Sequence, residues 1–354
     1  MFPYRRVLIL SAWFGASLPA ATVPTCSGAE LFSKESVRYG RWEFRMLAAA
    51  KLGTVSSFFT YYNDSYLGGV EPWREIDIEV LGNKPKGFQS NLITRDPSTP
   101  DKTESPKFHT TTDVSSAFHT FSLSWTPDSV VWRMDGKLLR RTMDDPQVTD
   151  LGDKDQSYRI NLWASDQVGW VGAFDLTQIP VYQVVNWMVY SSYTPGEGPG
   201  GSNFSEQWVD DFSSFDTKRW STGNYGFETN LALFTPKNVV AVDGYLVLAL
   251  TRPGQEGVTG TFLKDSLGNS RNPTGLAKAV SQGSQWSVRS NRKGLRIDRE
   301  DATNPLKIRV MNALGLVVAQ GRFERGQKMT EMAVNQKEGV LIVSVGDRVV
   351  TLVR

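Results

Sequence analysis

Residues 72–80 read PWREIDIEV, with Glu75, Asp77 and Glu79 alternating strictly with Ile76, Ile78 and Val80. Successive side chains of a β-strand point to opposite faces, so this spacing predicts one acidic face and one apolar face. The apolar face needs a second layer to bury it, which points to a sheet in a sandwich. Three like charges on the other face repel one another, and that repulsion is useful where one carboxyl must keep its proton near neutral pH. The rise of ~3.4 Å per residue separates the Glu75 and Glu79 Cα atoms by ~13 Å. Two long side chains leaning inward over a curved strand close that gap towards the ~5–5.5 Å of a retaining glycosidase, with Asp77 between them.

The same alternation recurs outward from this stretch. Trp42, Phe44 and Met46 alternate with Arg41, Glu43 and Arg45. Asp135-Gly136 and Asp243-Gly244 each stand between two β-rich runs, as a type I′ hairpin prefers, and Gly346-Asp347 separates two more. No long segment keeps a 3.6-residue period. Many short strands between Gly, Pro, Asn and Asp turns predict an all-β sandwich.

Composition narrows the chemistry. Among 354 residues there are 39 Lys and Arg, 37 Asp and Glu, two His and one Cys, giving a net charge of +2. That balance gives no footprint for nucleic acid. His109, His119 and Cys26 are too few for a cysteine-rich zinc cluster or a disulfide, and carboxylates are what remain in quantity.

At the N-terminus, Arg5 and Arg6 precede an apolar run and then small residues at Ala20 and Ala21, the order of a signal peptide. We therefore expect residues 1–25 to be a leader and the protein to be secreted or at the cell surface. Residues 194–204, TPGEGPGGSNF, connect two β-rich regions, and residues 257–285 read as a polar linker. Residues 284–354 hold 13 basic and 7 acidic residues against 26 and 30 before them, which supports a separate small β-sandwich domain over 286–354.

WREIDIE, which includes Trp73 two residues before Glu75, resembles the signature of glycoside hydrolase family 16, which implies an all-β jelly-roll sandwich of two antiparallel sheets with a concave substrate cleft. The segments CSGAELFSKESVRYGRWEFRM, GTVSSFFTYYND, GFQSN, AFHTFSLSWTP, INLWAS and NWMVYSSYTPGEG are similar to stretches of its lichenases, the 1,3-1,4-β-glucanases. The likeness extends over residues 26–256, and the motif has the unbulged five-residue form. By resemblance Glu75 is the nucleophile, Glu79 the general acid/base and Asp77 the assisting carboxylate. The resemblance also implies cleft contacts from Glu30, Phe59, Tyr61, Trp73, Gln89, Asn91, Arg159, Asn161, Trp163, Trp170 and Tyr225. At Tyr225 the similar proteins have Trp.

The stretch YGFETNLALFTPKNVVAVDGYLVLALT, residues 225–251, follows the catalytic strand here, whereas most lichenases have it before, so the chain resembles a circularly permuted form. A structural Ca²⁺ site away from the cleft is implied at Asn186, Asp211 and Gly244, with no cofactor for catalysis. The expected partner is a β-glucan polysaccharide as substrate, and the protein is expected to be a monomer. The segment LKIRVMNALG and the final hairpin resemble a type IX secretion sorting domain, which implies secretion machinery as a second partner. A non-catalytic glucan-binding protein, or a family 16 hydrolase of laminarin, is the competing expectation.

Overall fold

The computed structural model describes residues 25–266, 286–291, 294–299, 305–312, 317–334, 340–345 and 348–353. The predicted leader, apart from Thr25, lies outside the described residues. The first strands are β1 (Cys26–Ser33), β2 (Gly40–Leu47), β3 (Thr54–Tyr61), β4 (Trp73–Leu81) and β5 (Gly87–Arg95). Then come β6 (Thr103–Glu104), β7 (Lys107–Thr110), β8 (His119–Trp125), β9 (Ser129–Met134), β10 (Lys137–Met143) and β11 (Ser157–Ala164). They are followed by β12 (Val181–Tyr193), β13 (Phe204–Asp210), β14 (Trp220–Thr222), β15 (Ala232–Phe234), β16 (Val239–Val242) and β17 (Tyr245–Leu250).

These strands form the two sheets of a jelly roll. One has the order β14-β1-β11-β3-β4-β5-β6, with β15 on β1 and β7 on β5; the other runs β10-β9-β8-β2-β12-β17-β16, with β13 on β12. Every neighbouring pair is antiparallel except β1 and β15. Residues 204–250 thus add strands to both sheets rather than forming a unit of their own.

The alternation read from sequence places the core. Trp42 and Phe44 of β2, Phe58 of β3, Ile76 and Ile78 of β4, Phe121 of β8 and Trp132 of β9 are wholly buried. Phe44 and Phe58 meet across the two sheets with ring centroids 4.6 Å apart. Burying each such side chain contributes about 2 kcal/mol or more, and a tightly packed interior holds the backbone of β4 in one register. Trp132 adds direction, because its Nε1 donates to the carbonyl of Asp77 at 2.9 Å from behind. Both predicted turns close their hairpins with positive φ, at 50° and 76° for Asp135-Gly136 and 54° and 74° for Asp243-Gly244.

Residues 257–266, which composition assigns to a linker, run along the second sheet. Val258 and Phe262 pack on Tyr245 and Val247. Gly257 N donates to Asn238 Oδ1 at 2.7 Å and Gly260 N to the Tyr182 hydroxyl at 3.1 Å. Asp265 is buried against Arg45, which donates from Nε to Oδ2 and from Nη2 to Oδ1, the latter at 2.9 Å. Small polar residues hid an anchored segment whose fixing groups lie far away in sequence. The remaining linker residues, 267–285, lie outside the described residues.

The C-terminal strands are β18 (Trp286–Asn291), β19 (Gly294–Arg299), β20 (Leu306–Asn312), β21 (Val317–Phe323), β22 (Met329–Met332), β23 (Val340–Val345) and β24 (Arg348–Val353). They make a sheet β18-β19-β22 and a sheet β21-β20-β23-β24. Leu295, Ile297, Ile308, Val310, Phe323, Met332, Val334 and Val343 form a core of their own between them. The Gly346-Asp347 turn lies outside the described residues.

Candidate active site

Antiparallel registry carries the acidic face of β4 across the whole first sheet. One row runs Glu30, Asn161, Ser57, Glu79, Gln89, Phe108 over β1, β11, β3, β4, β5 and β7. The next runs Phe32, Arg159, Phe59, Asp77, Asn91, and a third runs Tyr61, Glu75, Ile93, Glu104. Residues directly opposite on paired strands share a face, so these rows form one surface with the carboxylates at its centre. Pairing is continuous from Glu75 to Glu79 on both sides, so the strand is unbulged as its spacing predicted.

Each carboxyl has a different environment. Glu75 Oε2 accepts from Trp73 Nε1 at 2.6 Å. Burial raises its pKa, while the indole N–H and the Lys102 ammonium pull it back. Glu79 Oε2 accepts from Gln89 Nε2 at 3.0 Å. Burial first, and then the Glu75 charge, push Glu79 up to about 8, so it is protonated at neutral pH. Asp77 is pushed well above the usual carboxylate range, by burial first and then by both flanking glutamates. Its Oδ2 is buried without a donor, and Glu75 is its neighbour in hydrogen-bonding reach. Two ionised carboxylates can only accept, so a proton on Asp77 makes it the donor to Glu75. A carboxyl that keeps its proton near neutral pH beside one drawn towards ionisation by an N–H and an ammonium is what general acid and nucleophile chemistry at a single linkage requires.

Most of the other residues expected from sequence gather on the β11 side. Arg159 donates to Glu30 Oε1 at 3.0 Å, to the Tyr225 hydroxyl at 3.0 Å and to Asn63 Oδ1 at 2.7 Å. Tyr225 also donates to Glu30, and Asn161 Nδ2 reaches Glu30 Oε2 at 3.4 Å while its Oδ1 accepts from Ser57. Glu30 is only 1% exposed, and burial raises its pKa against the pull of Arg159. Phe59 and Tyr61 lie edge to face with centroids 6.4 Å apart. Trp163 is 7% exposed, between Trp170 at 6.0 Å and Phe227 at 4.9 Å. Asn91 is turned to structural use, its Oδ1 accepting from the backbone of Ser105 at 3.0 Å.

Sequence reading passed over Lys102, Asn63, Phe227, Ser57 and Phe108. Strand alternation could have found Ser57, two residues before Phe59. The loop residues Lys102, Asn63 and Phe227 carry no periodic signal; only folding brings them to the site.

The predicted calcium ligands come from neighbouring strands of the second sheet. Asn186 follows Val185, whose partner Leu246 lies just beyond Gly244; Asp211 follows Asp210, whose partner is Met188. Asn186 Nδ2 donates to Asp265 Oδ2 at 2.7 Å, and Asp211 accepts from Ser213 N at 3.0 Å. Side-chain and main-chain oxygens are the ligands that calcium takes. Among the described residues no three His, Cys, Asp or Glu side chains cluster, so any metal held there relies on main-chain oxygens.

Comparison with known proteins agrees with this geometry. The family model for Glycosyl hydrolases family 16 matches residues 16–179. A beta-glucanase of Fibrobacter succinogenes is 45% identical over 262 residues, covering 74% of each chain. A beta-glucanase of Brevibacillus brevis is 34% identical over 163 residues, 46% of this chain and 59% of that one. The solved Bacillus licheniformis beta-glucanase is 28% identical, covers 41% of this chain and 63% of that chain, and superposes with a TM-score of 0.34. On the strength of the Fibrobacter match over most of both sequences, the chain belongs to family 16 of the glycosyl hydrolases.

Proposed function

We propose that this protein is a secreted endo-β-glucanase that hydrolyses 1,4-β bonds in mixed-linkage 1,3-1,4-β-glucan with retention of configuration. The observation that carries the reading is the different surroundings of the carboxyls: Glu79 is pushed up to about 8, whereas the burial that raises Glu75 is opposed by the Trp73 indole N–H and the Lys102 ammonium. Glu75 attacks the anomeric carbon while Glu79 gives its proton to the departing oxygen. Glu79, now a base, takes a proton from water, and the water's oxygen displaces Glu75 from the sugar. Asp77 keeps its proton throughout and donates to Glu75, which lowers the basicity of the leaving carboxylate in the second step. The beta-glucanase activity named for the relatives supports the substrate class.

Reducing-sugar release from barley β-glucan, lichenan, laminarin and carboxymethylcellulose, run side by side, tests this. Activity on the first two alone is expected. Cleavage of laminarin would move the assignment to a 1,3-β-glucan hydrolase, and binding without release would make the protein a lectin. Glu75→Ala should abolish release and leave the circular dichroism spectrum unchanged.

Three further expectations belong to the same reading. β13 to β17 complete both sheets although they follow β4 in sequence, which supports a circular permutation joined through residues 194–204. Asn186, Asp211 and Gly244 are proposed to hold a structural calcium ion with no part in catalysis. The 286–354 unit is proposed as a secretion sorting domain.

A further inference from the structure

We propose that Lys102 is a positioning residue for the nucleophile: its ammonium holds the Trp73 indole so that the ring's N–H stays on Glu75, and the ring serves this purpose rather than stacking on sugar. The step rests on Glu75 being the nucleophile. Lys102 Nζ lies 3.2 Å from the centroid of the Trp73 ring, in contact with its face. The edge of the same ring delivers Nε1 to Glu75 Oε2 at 2.6 Å. Tyr61 meets the ring edge-on with centroids 5.4 Å apart, and the Arg95 guanidinium carbon is 5.8 Å from its centroid. Cation, phenol and guanidinium together leave the indole little freedom to rotate. A cation over the π-face also draws electron density from the ring, which makes its N–H a better donor to a carboxylate.

Lys102 is itself held in place. The next two residues pair with β5, Thr103 to Thr94 and Glu104 to Ile93, and Gln147 Nε2 donates to the Thr103 carbonyl at 2.9 Å. The charges facing Glu75 are Asp77 and Glu79 from its own strand, Lys102 from the β5–β6 connection and Arg159 from β11, with the Tyr61 phenol on β3. Those facing Lys102 are Glu75, Asp77, Glu104 and Arg95. One face of the indole is therefore covered by an ammonium.

The pH profile of kcat/KM on barley β-glucan separates this from a merely structural role. Losing the ammonium makes Glu75 harder to ionise, so its acidic limb must move to higher pH. Lys102→Met should shift that limb upward by about 1 pH unit, the low end for a nearby opposite charge, with KM unchanged. Lys102→Arg, which keeps both charge and ring contact, should restore the wild-type profile. Trp73→Phe removes the N–H and should shift the limb in the same direction; adding Lys102→Met to it should then shift the limb less than in the wild type. An acidic limb that coincides for wild type and Lys102→Met overturns the proposal, as does a Lys102→Met shift equally large with Phe at position 73. A rise in KM with no shift in the limb would return Trp73 to a sugar platform. If the wild type releases no sugar from any β-glucan, the assignment of Glu75 as nucleophile fails instead, and the two failures are distinct.

Discussion

A carboxyl buried between two others has one favourable state, the protonated one, and Asp77 is in that position. Its proton lets it donate to Glu75; without it, three negative charges would share a surface screened from water. Asp77→Asn keeps a donor of similar shape and removes the possibility of ionisation. It should raise the melting midpoint while lowering kcat, because an amide N–H is a weaker donor to Glu75 than a carboxylic O–H. The stability effect has a sign that can be worked out. Asp77 and Glu79 both bind their proton more tightly folded than unfolded, so their contribution is complete at low pH and is lost as pH rises through the folded pKa, near 8 for Glu79. The gain from Asp77→Asn should thus be larger at pH 9 than at pH 6, by a midpoint difference of ~2–4 °C for each kcal/mol involved. Calorimetric melts at the two pH values decide it, and a gain independent of pH would mean that Asp77 does not titrate with folding. The same value for Glu79 sets the alkaline limb of activity near 8, and Glu79→Gln should lower kcat by about 10²–10⁴-fold. Much at this scale was legible in nine residues, because alternation alone puts the three carboxyls on one face. Which carboxyl keeps its proton was not legible, since that is decided by Trp73, Gln89 and Lys102 acting together across a loop and two strands.

At the scale of elements, the apolar half of each strand could be read directly: β2 buries Trp42, Phe44 and Met46 as alternation requires, and two Asp-Gly pairs close their hairpins. The segment 257–266 could not be read in this way. It has no periodicity, and what fixes it is a carboxylate, Asp265, whose partners Arg45 and Asn186 lie on β2 and β12. The Asp265 side chain is 1% exposed and that of Arg45 13%. A buried pair of this kind adds little net stability over an apolar pair, but removing one partner strands the other charge and costs about 3–5 kcal/mol. Asp265→Ala should therefore destabilise the sandwich by roughly that amount in urea unfolding. Replacing both partners, Arg45→Met with Asp265→Leu, should recover most of the loss. If the single and double variants are equally unstable, the pairing contributes nothing specific and the segment is held by Phe262 and Val258 alone.

At the scale of the molecule, the core inside the jelly roll and the core among residues 295–343 share no residue. A unit with its own core can fold without its neighbour, so the boundary between the two should tolerate a cut. Composition alone would put that cut at 256, where the polar stretch begins. The structure moves it, because Val258, Phe262 and Asp265 still belong to the first unit. Ending the chain after residue 266 should leave hydrolysis of β-glucan and the melting midpoint of the jelly roll unchanged. Ending it after 256 uncovers Tyr245 and Val247 and strands the Arg45 guanidinium, so that shorter form should melt several degrees lower and lose activity on warming before the longer one does. Purifying both forms and comparing melts and residual activity separates the two boundaries. Equal stability of the two truncations would show that residues 257–266 ride on the second sheet without supporting it, and the polar stretch would then be a linker from its first residue.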